Sequence, residues 1–135
     1  MGGRKLGYIL GKEELTGIEH ALGQNLIELG VHCVVLIDMA GNIITELDNG
    51  EMKPDVYSLA ALAAGNFGAV SAMAKIVGED EFSLLFHKGE KECIHFSKIM
   101  TDLLLITIFD RDLSLGFLRL KVAEAAEKIE KILES

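Results

Sequence analysis

Polar and apolar positions alternate with two periods along this chain and divide it into eight segments. Residues 13–29 place Leu15, Ile18, Leu22, Leu26 and Leu29 at three- and four-residue spacing. That predicts an amphipathic helix, opened by Glu13 and Glu14 and closed by Gly30. Gly17 and Gly23 weaken it locally, by about 1 kcal/mol each relative to alanine. Val31 to Met39 is β-branched and largely apolar, which predicts a strand. Met39, Ala40, Gly41 and Asn42 form a tight turn, and Ile43 to Leu47 returns antiparallel. Glu81–His87, Glu92–Met100 and Leu103–Phe109 predict three more strands. The last is almost wholly apolar, which places it centrally in a sheet. From Ser114 to Leu133, Leu118, Val122, Ala125 and Ile129 form the buried stripe of a final helix, with Glu124, Glu127, Lys128, Glu130 and Lys131 on its wet face.

Between the two groups of strands lies Pro54–Val77, which predicts one helix of about 35 Å at roughly 1.5 Å per residue. Pro54 suits a first-turn position, Asp55 complements the positive end of the helix dipole, and Gly78 falls where a left-handed cap belongs. Stepping around its axis separates two flanks. Val56, Leu59, Leu62, Phe67, Val70, Met73 and Val77 make a bulky one. Ala60, Ala61, Ala64, Gly65, Gly68, Ala69 and Ala72 make a bare one. No charge occurs between Asp55 and Lys75. A helix without a polar face is covered on both sides. Three covers fit: lipid, the interior of its own domain, or a second copy. Gly65, Asn66, Gly68, Ser71 and the alanines dilute the apolarity that lipid needs. A chain of 135 residues rarely encloses such a helix completely, so the bare flank points to self-association.

The order α-β-β-α-β-β-β-α with hairpin connections predicts an α+β fold. Its five-stranded antiparallel sheet carries the long central helix on one face and the terminal helices on the other. Residues 1–12 read as a loose N-terminal segment and 13–135 as one domain.

The net charge of −8 argues against nucleic acid and against anionic membrane surfaces. Cys33 and Cys93 lie in apolar strand-like runs and read as reduced core thiols. The start of the chain shows no signal peptide, which points to a cytoplasmic address.

Chemistry is sparse. Gly65-Asn66-Phe67-Gly68 lies within a helix and lacks the Gly-Lys-Ser/Thr ending of a phosphate loop, so the chain is not itself a GTPase. His20, His32, His87 and His95 show no metal-ligand spacing. His95 and Cys93 stand two apart, the spacing of one strand face, and a satisfied, partly buried histidine is the reading preferred there over a metal ligand. Asp38 and Asp110 end strands, where turn capping explains them better than acid–base work. Ser97 and Ser114 lack a His/Asp setting. Asn66 falls toward the bulky flank, where an amide needs partners. No enzymatic activity, cofactor or metal is expected.

The run IDMAGNII, the helix LAALAAGNFGAVSAMAK, the strand pair EFSLLFHKGEKECIHFSKI and the junction LLLITIFDRDLSLGFLRL together resemble the Roadblock family of dynein light-chain and GTPase-regulating proteins. The likeness is closest to the family's bacterial MglB-like branch and spans about residues 13–133. It implies dimers in which the long helices of two subunits pack together and their third strands pair. Here that means Ala60, Ala61, Ala64, Gly65, Gly68, Ala69 and Ala72, with Phe82, Leu84 and Phe86 on the pairing strand. It also implies a partner, a small Ras-like GTPase whose switch segments are held and whose hydrolysis is stimulated, as in polarity or motility systems. Arg111, in a loop at a strand end, is the arginine to test as a GTPase contact; a solvated loop cation is its plainer reading. A structural adaptor and a small-ligand sensory domain are the alternative functions this fold allows.

Overall fold

The computed structural model describes residues 10–51, 54–82 and 85–134. Most of the expected loose segment, residues 1–9, lies outside the described residues, as does Leu84. Leu10 packs against the edge of the core, and helix α1 runs over Lys12–Leu22. It continues as a π-helical turn, Gly23–Ile27, whose wider bonding shows in Glu28 N–H donating to Gly23 O at 2.9 Å. The sequence predicts one continuous α-helix here. Glycine at position 23 is where the backbone changes pitch, since it holds an α-helix most weakly.

Five strands follow, interrupted by the long helix: β1 (Cys33–Asp38), β2 (Ile43–Asp48), α2 (Val56–Ile76), β3 (Leu85–Lys88), β4 (Glu92–Ile99) and β5 (Leu103–Asp110), then α3 (Leu115–Glu134). The sheet is antiparallel in the order β2-β1-β5-β4-β3. The apolar β5 is central, as its composition requires.

Alternation along the strands divides the core in two. Val34, Leu36, Cys93, Leu103, Leu105 and Phe109 face α1 and α3, where Ile18, Leu22, Leu118, Val122 and Ile129 meet them. Cys33, Val35, Ile37, Phe96, Leu104, Ile106 and Ile108 face α2. Each terminal helix is locked to the sheet or to its neighbour. Thr45 of β2 donates its hydroxyl proton to Glu19 of α1 at 2.6 Å. A Cβ on Gly17 of α1 would stand 3.1 Å from Ile132 Cδ1 of α3.

The turns are built by the carboxylates read as caps. Asp38 accepts from the Ala40 and Asn42 amides at 3.0 and 2.9 Å, and Gly41 takes φ +92°. Asp110 accepts from the Asp112 amide at 2.8 Å. Ser114 Oγ accepts from the Phe117 amide at the start of α3, the work of a helix cap. Asp55 is the N-cap of α2 and accepts from Ser58 N–H and Oγ–H, which holds its carboxyl below the usual range. Pro54 therefore precedes the cap rather than occupying the first turn. Gly78 closes α2 at φ +91°.

Candidate functional site: the outward face of the central helix

One stripe of α2 packs on the sheet. Val56, Ala60, Ala63 and Ala74 are buried, with Leu59, Ala64 and Phe67 partly buried beside them. Their spacing keeps one row of side chains over β1, β5 and β4. Several are alanines, because a helix lying on a strongly packed sheet comes close to it. Ala60 is fully buried and belongs to the subunit's own core, which corrects its assignment to a dimer contact. The bulky flank is corrected too. Leu62 is 73% exposed and Met73 52%, joined on the surface by Tyr57, Ile76 and Val77. Asn66 is exposed and not a buried amide.

The bare flank is covered over part of its length. At its N-terminal half the β1–β2 turn closes in, with Gly41 against Ala60, Ala61 and Ala64. Ala61 remains exposed beyond that contact and Ala64 is half-buried. Farther along, Gly65, Gly68, Ala69 and Ala72 face outward, and a Cβ added at Gly65 or Gly68 would meet nothing within 4 Å. Beside this strip lies a cleft of about 230 Å³ lined by Met39, Ala64, Phe67, Gly68, Ser71, Lys98 and Thr101. A bare strip with a cleft at its edge and large apolar side chains along its rim is a packing surface.

Among the described residues the pairing strand β3 spans Leu85–Lys88 at the edge of the sheet; Glu81 and Phe82, read as its start, are not in strand, and residues 83 and 84 lie outside the described residues. Phe82 precedes it and is 41% exposed. Phe86 turns toward α3 and stacks on Phe109 at 6.0 Å, so it packs half-buried against the subunit's own core. Leu85 and His87 hold the α2 side of that strand.

Arg111 leaves β5 at the opposite end of the sheet. Its amide donates to Lys91 O at 3.0 Å and its Nη1 to Glu90 O at 3.3 Å, tying the β5–α3 loop to the β3–β4 turn. The rest of its guanidinium faces solvent. His32 Nδ1 stands 2.8 Å from Glu92 Oε1, spanning β5 from the entry of β1 to β4. His95 is buried on the α3 side beside Thr107, its cross-strand partner, and neither His95 Nδ1 nor Thr107 Oγ1 has a hydrogen-bond partner among the described residues. The sequence reads His95 as satisfied and partly buried; it is 5% exposed, and its Nδ1 has no partner among the described residues. Burial, with Arg119 nearby, pushes its pKa down to about 4. Cys33 and Cys93 are both free and buried, on opposite faces of the sheet. Among the described residues no cluster of His, Cys, Asp and Glu has the geometry of a metal site.

Comparison with solved structures places this geometry. MglB from Myxococcus xanthus is 32% identical, with 94% of this chain and 95% of that one superposed at a TM-score of 0.84. The chain belongs to the MglB family. The gliding protein MglB of Thermus thermophilus is 29% identical over 93% of this chain and 95% of its own, also at TM-score 0.84. An MglB structure with a tetrameric arrangement is 29% identical at TM-score 0.85, covering 93% and 94% of the two chains. The fold alone extends to a Roadblock/LC7 domain from Streptomyces avermitilis, 17% identical at TM-score 0.69 over 84% of this chain and 98% of that one. No family model matches the sequence, and no curated protein matches it. MglB relatives thus carry the same α2 across the same sheet. That helix is long and apolar enough to span a membrane by length and composition, and 22% of its apolar window is buried within the subunit.

Proposed function

We propose that this chain is a cytoplasmic, homodimeric regulator of a small Ras-like GTPase, without an active site of its own. Family membership carries the reading: identity to MglB runs over nearly the whole of both chains. The exposed face of α2 supports the dimer. Leu62, Met73, Ile76 and Val77 leave an apolar surface that a monomer would present to water. Pairing α2 against α2 covers it, with Ala61, Ala64, Gly65, Gly68, Ala69 and Ala72 letting the backbones approach, and with Phe82 and the β3 edge alongside. Two subunits joined in this way make a rigid platform. Regulation then acts by position: a preformed surface holds the GTPase switch segments in the arrangement that hydrolyses GTP. Arg111 is offered as a contact on the loop side of that platform.

The test is single-turnover GTP hydrolysis by the Ras-like GTPase encoded beside this gene, with and without the purified protein. Faster hydrolysis that saturates with dimer concentration is expected. Binding with unchanged turnover would make the protein an adaptor, and absence of binding would overturn the reading.

A further inference from the structure

Among the described residues the β3–β4 ladder ends where Leu85 stands opposite Phe96. At that end a cavity of about 610 Å³ opens beside β4, between α2 and α3. Phe67, Phe96, Met100 and Val122 give it apolar walls, and His95, Ser97 and Arg119 give it polar groups. That volume, with apolar walls and a few convergent polar groups, suits a small molecule held in one orientation.

Three features of the lining go unused by the fold itself. His95 is 5% exposed, and its Nδ1 has no hydrogen-bond partner among the described residues. A buried polar atom left unpaired is costly, and an apolar side chain would avoid that cost. Arg119 enters no ion pair with another described residue. Met100 takes φ +59°, a left-handed conformation uncommon outside glycine. Strain of this kind gathers at sites that hold ligands.

The charges around the cavity do not cancel. Lys98 stands 3.6 Å from Glu81, and these two balance. Arg119 is left over, a positive charge on a chain of net charge −8. Burial first, and the Arg119 charge second, lower the proton affinity of His95, which sets the guanidinium near the ring. Ser97 follows two residues along β4, on the same side of the sheet. A guanidinium, an imidazole and a hydroxyl thus gather on the α3 side, and each donates hydrogen bonds to oxygen. Phe67 and Phe96 lie on the α2 side. One guanidinium matches one carboxylate in charge and in geometry, two N–H groups to two oxygens.

We infer that this cavity binds a small organic carboxylate with an apolar body. Its oxygens meet Arg119, Ser97 and His95, and its body lies against Phe67 and Phe96. The inference does not depend on a GTPase partner. Phe67 belongs to α2, so a bound acid touches the helix that carries the self-contact proposed above.

The test is a titration of 3-phenylpropionate into the full chain labelled with nitrogen-15, followed by NMR. Saturable shifts are expected at His95, Ser97 and Arg119, with a Kd of about 1 mM for a ligand of that size. Arg119→Gln should weaken binding about ten-fold, the loss of one charge-assisted pair, and Arg119→Lys should recover part of it. The uncharged 3-phenylpropanamide should bind about ten-fold more weakly than the acid. No saturation by about 10 mM overturns the inference. So does equal binding of acid and amide, or binding that Arg119→Gln leaves unchanged. Saturation in Gly68→Leu but not in wild type would mean that a second copy fills the cavity, and overturns it as well. A tetrapeptide ending in phenylalanine that binds far more tightly than the free acid would reassign the cavity to a protein C-terminus.

Discussion

Gly41 sits on Ala61: a Cβ on the turn glycine would lie 3.4 Å from the Ala61 Cα and 3.7 Å from the Ala64 Cβ. The glycine is also at φ +92°, a conformation that costs an L-residue about 1–2 kcal/mol. Gly41→Ala combines that strain with a tight approach to the α2 backbone. Its urea midpoint should fall by an equivalent of about 1–2 kcal/mol with an unchanged slope.

The outward glycines behave in the opposite way. Gly65 and Gly68 are helical and face open space in the isolated chain. Gly65→Ala relieves a mid-helix glycine and should stabilise a monomer by about 0.5–1 kcal/mol. Gly68→Leu adds bulk where the second α2 is to lie, and should shift the mass to that of one chain at tens of micromolar by light scattering, while circular dichroism stays native. A Gly68→Leu protein that keeps the dimer mass would remove this strip from the interface.

The two thiols cannot bridge, because the sheet separates them. Cys33 faces α2 and Cys93 faces α3. Burial, then the Asp48 and Glu46 carboxylates, push the Cys33 thiol up to about 11, so thiolate is scarce at neutral pH. Native protein should react with an aromatic disulfide reagent far more slowly than protein in urea, and should show no internal disulfide after air oxidation. Fast labelling of Cys33 in native buffer would contradict its place in the core.

The strands, their succession along the chain, the central place of β5 and the two-layered core were legible because alternation and apolar β-branched runs state them directly. So were the caps at Asp38, Asp110 and Gly78, whose chemistry is local. Which flank of α2 meets the sheet was not. Side-chain size suggested that large residues go inward, but a helix close to a packed sheet buries Ala60, Ala63 and Ala74 and leaves Leu62 and Met73 outside. Spacing of four and three from Val56 through Phe67 carried the correct phase. Glu81 and Phe82 were read into β3 because Phe82 and Phe86 alternate like strand residues whether or not a neighbour pairs with them. The orphaned polar atoms of His95 and Thr107 depend on what lies across the strand, which no local pattern reports.

His95 makes stability depend on pH in a defined direction. Its ring is 5% exposed, its Nδ1 has no partner among the described residues, and Arg119 lies near it. Burial first, and Arg119 second, hold the folded pKa at about 4 against an ordinary 6.5. Between those values the unfolded chain binds a proton that the folded chain refuses. Acid therefore favours unfolding across about pH 6.5 to 4, and the native state regains stability as pH rises through that window. From pH 7 to pH 5 the loss attributable to this group is about 1–2 kcal/mol. Urea denaturation at both pH values, on wild type and His95→Gln, isolates it: the variant should lack that part of the decline whatever its stability at pH 7. Arg119→Gln should remove a smaller share, since it is the lesser cause. Equal slopes in wild type and His95→Gln would mean that the ring reaches water or a partner in solution, and the orphaned Nδ1 would lose its energetic meaning.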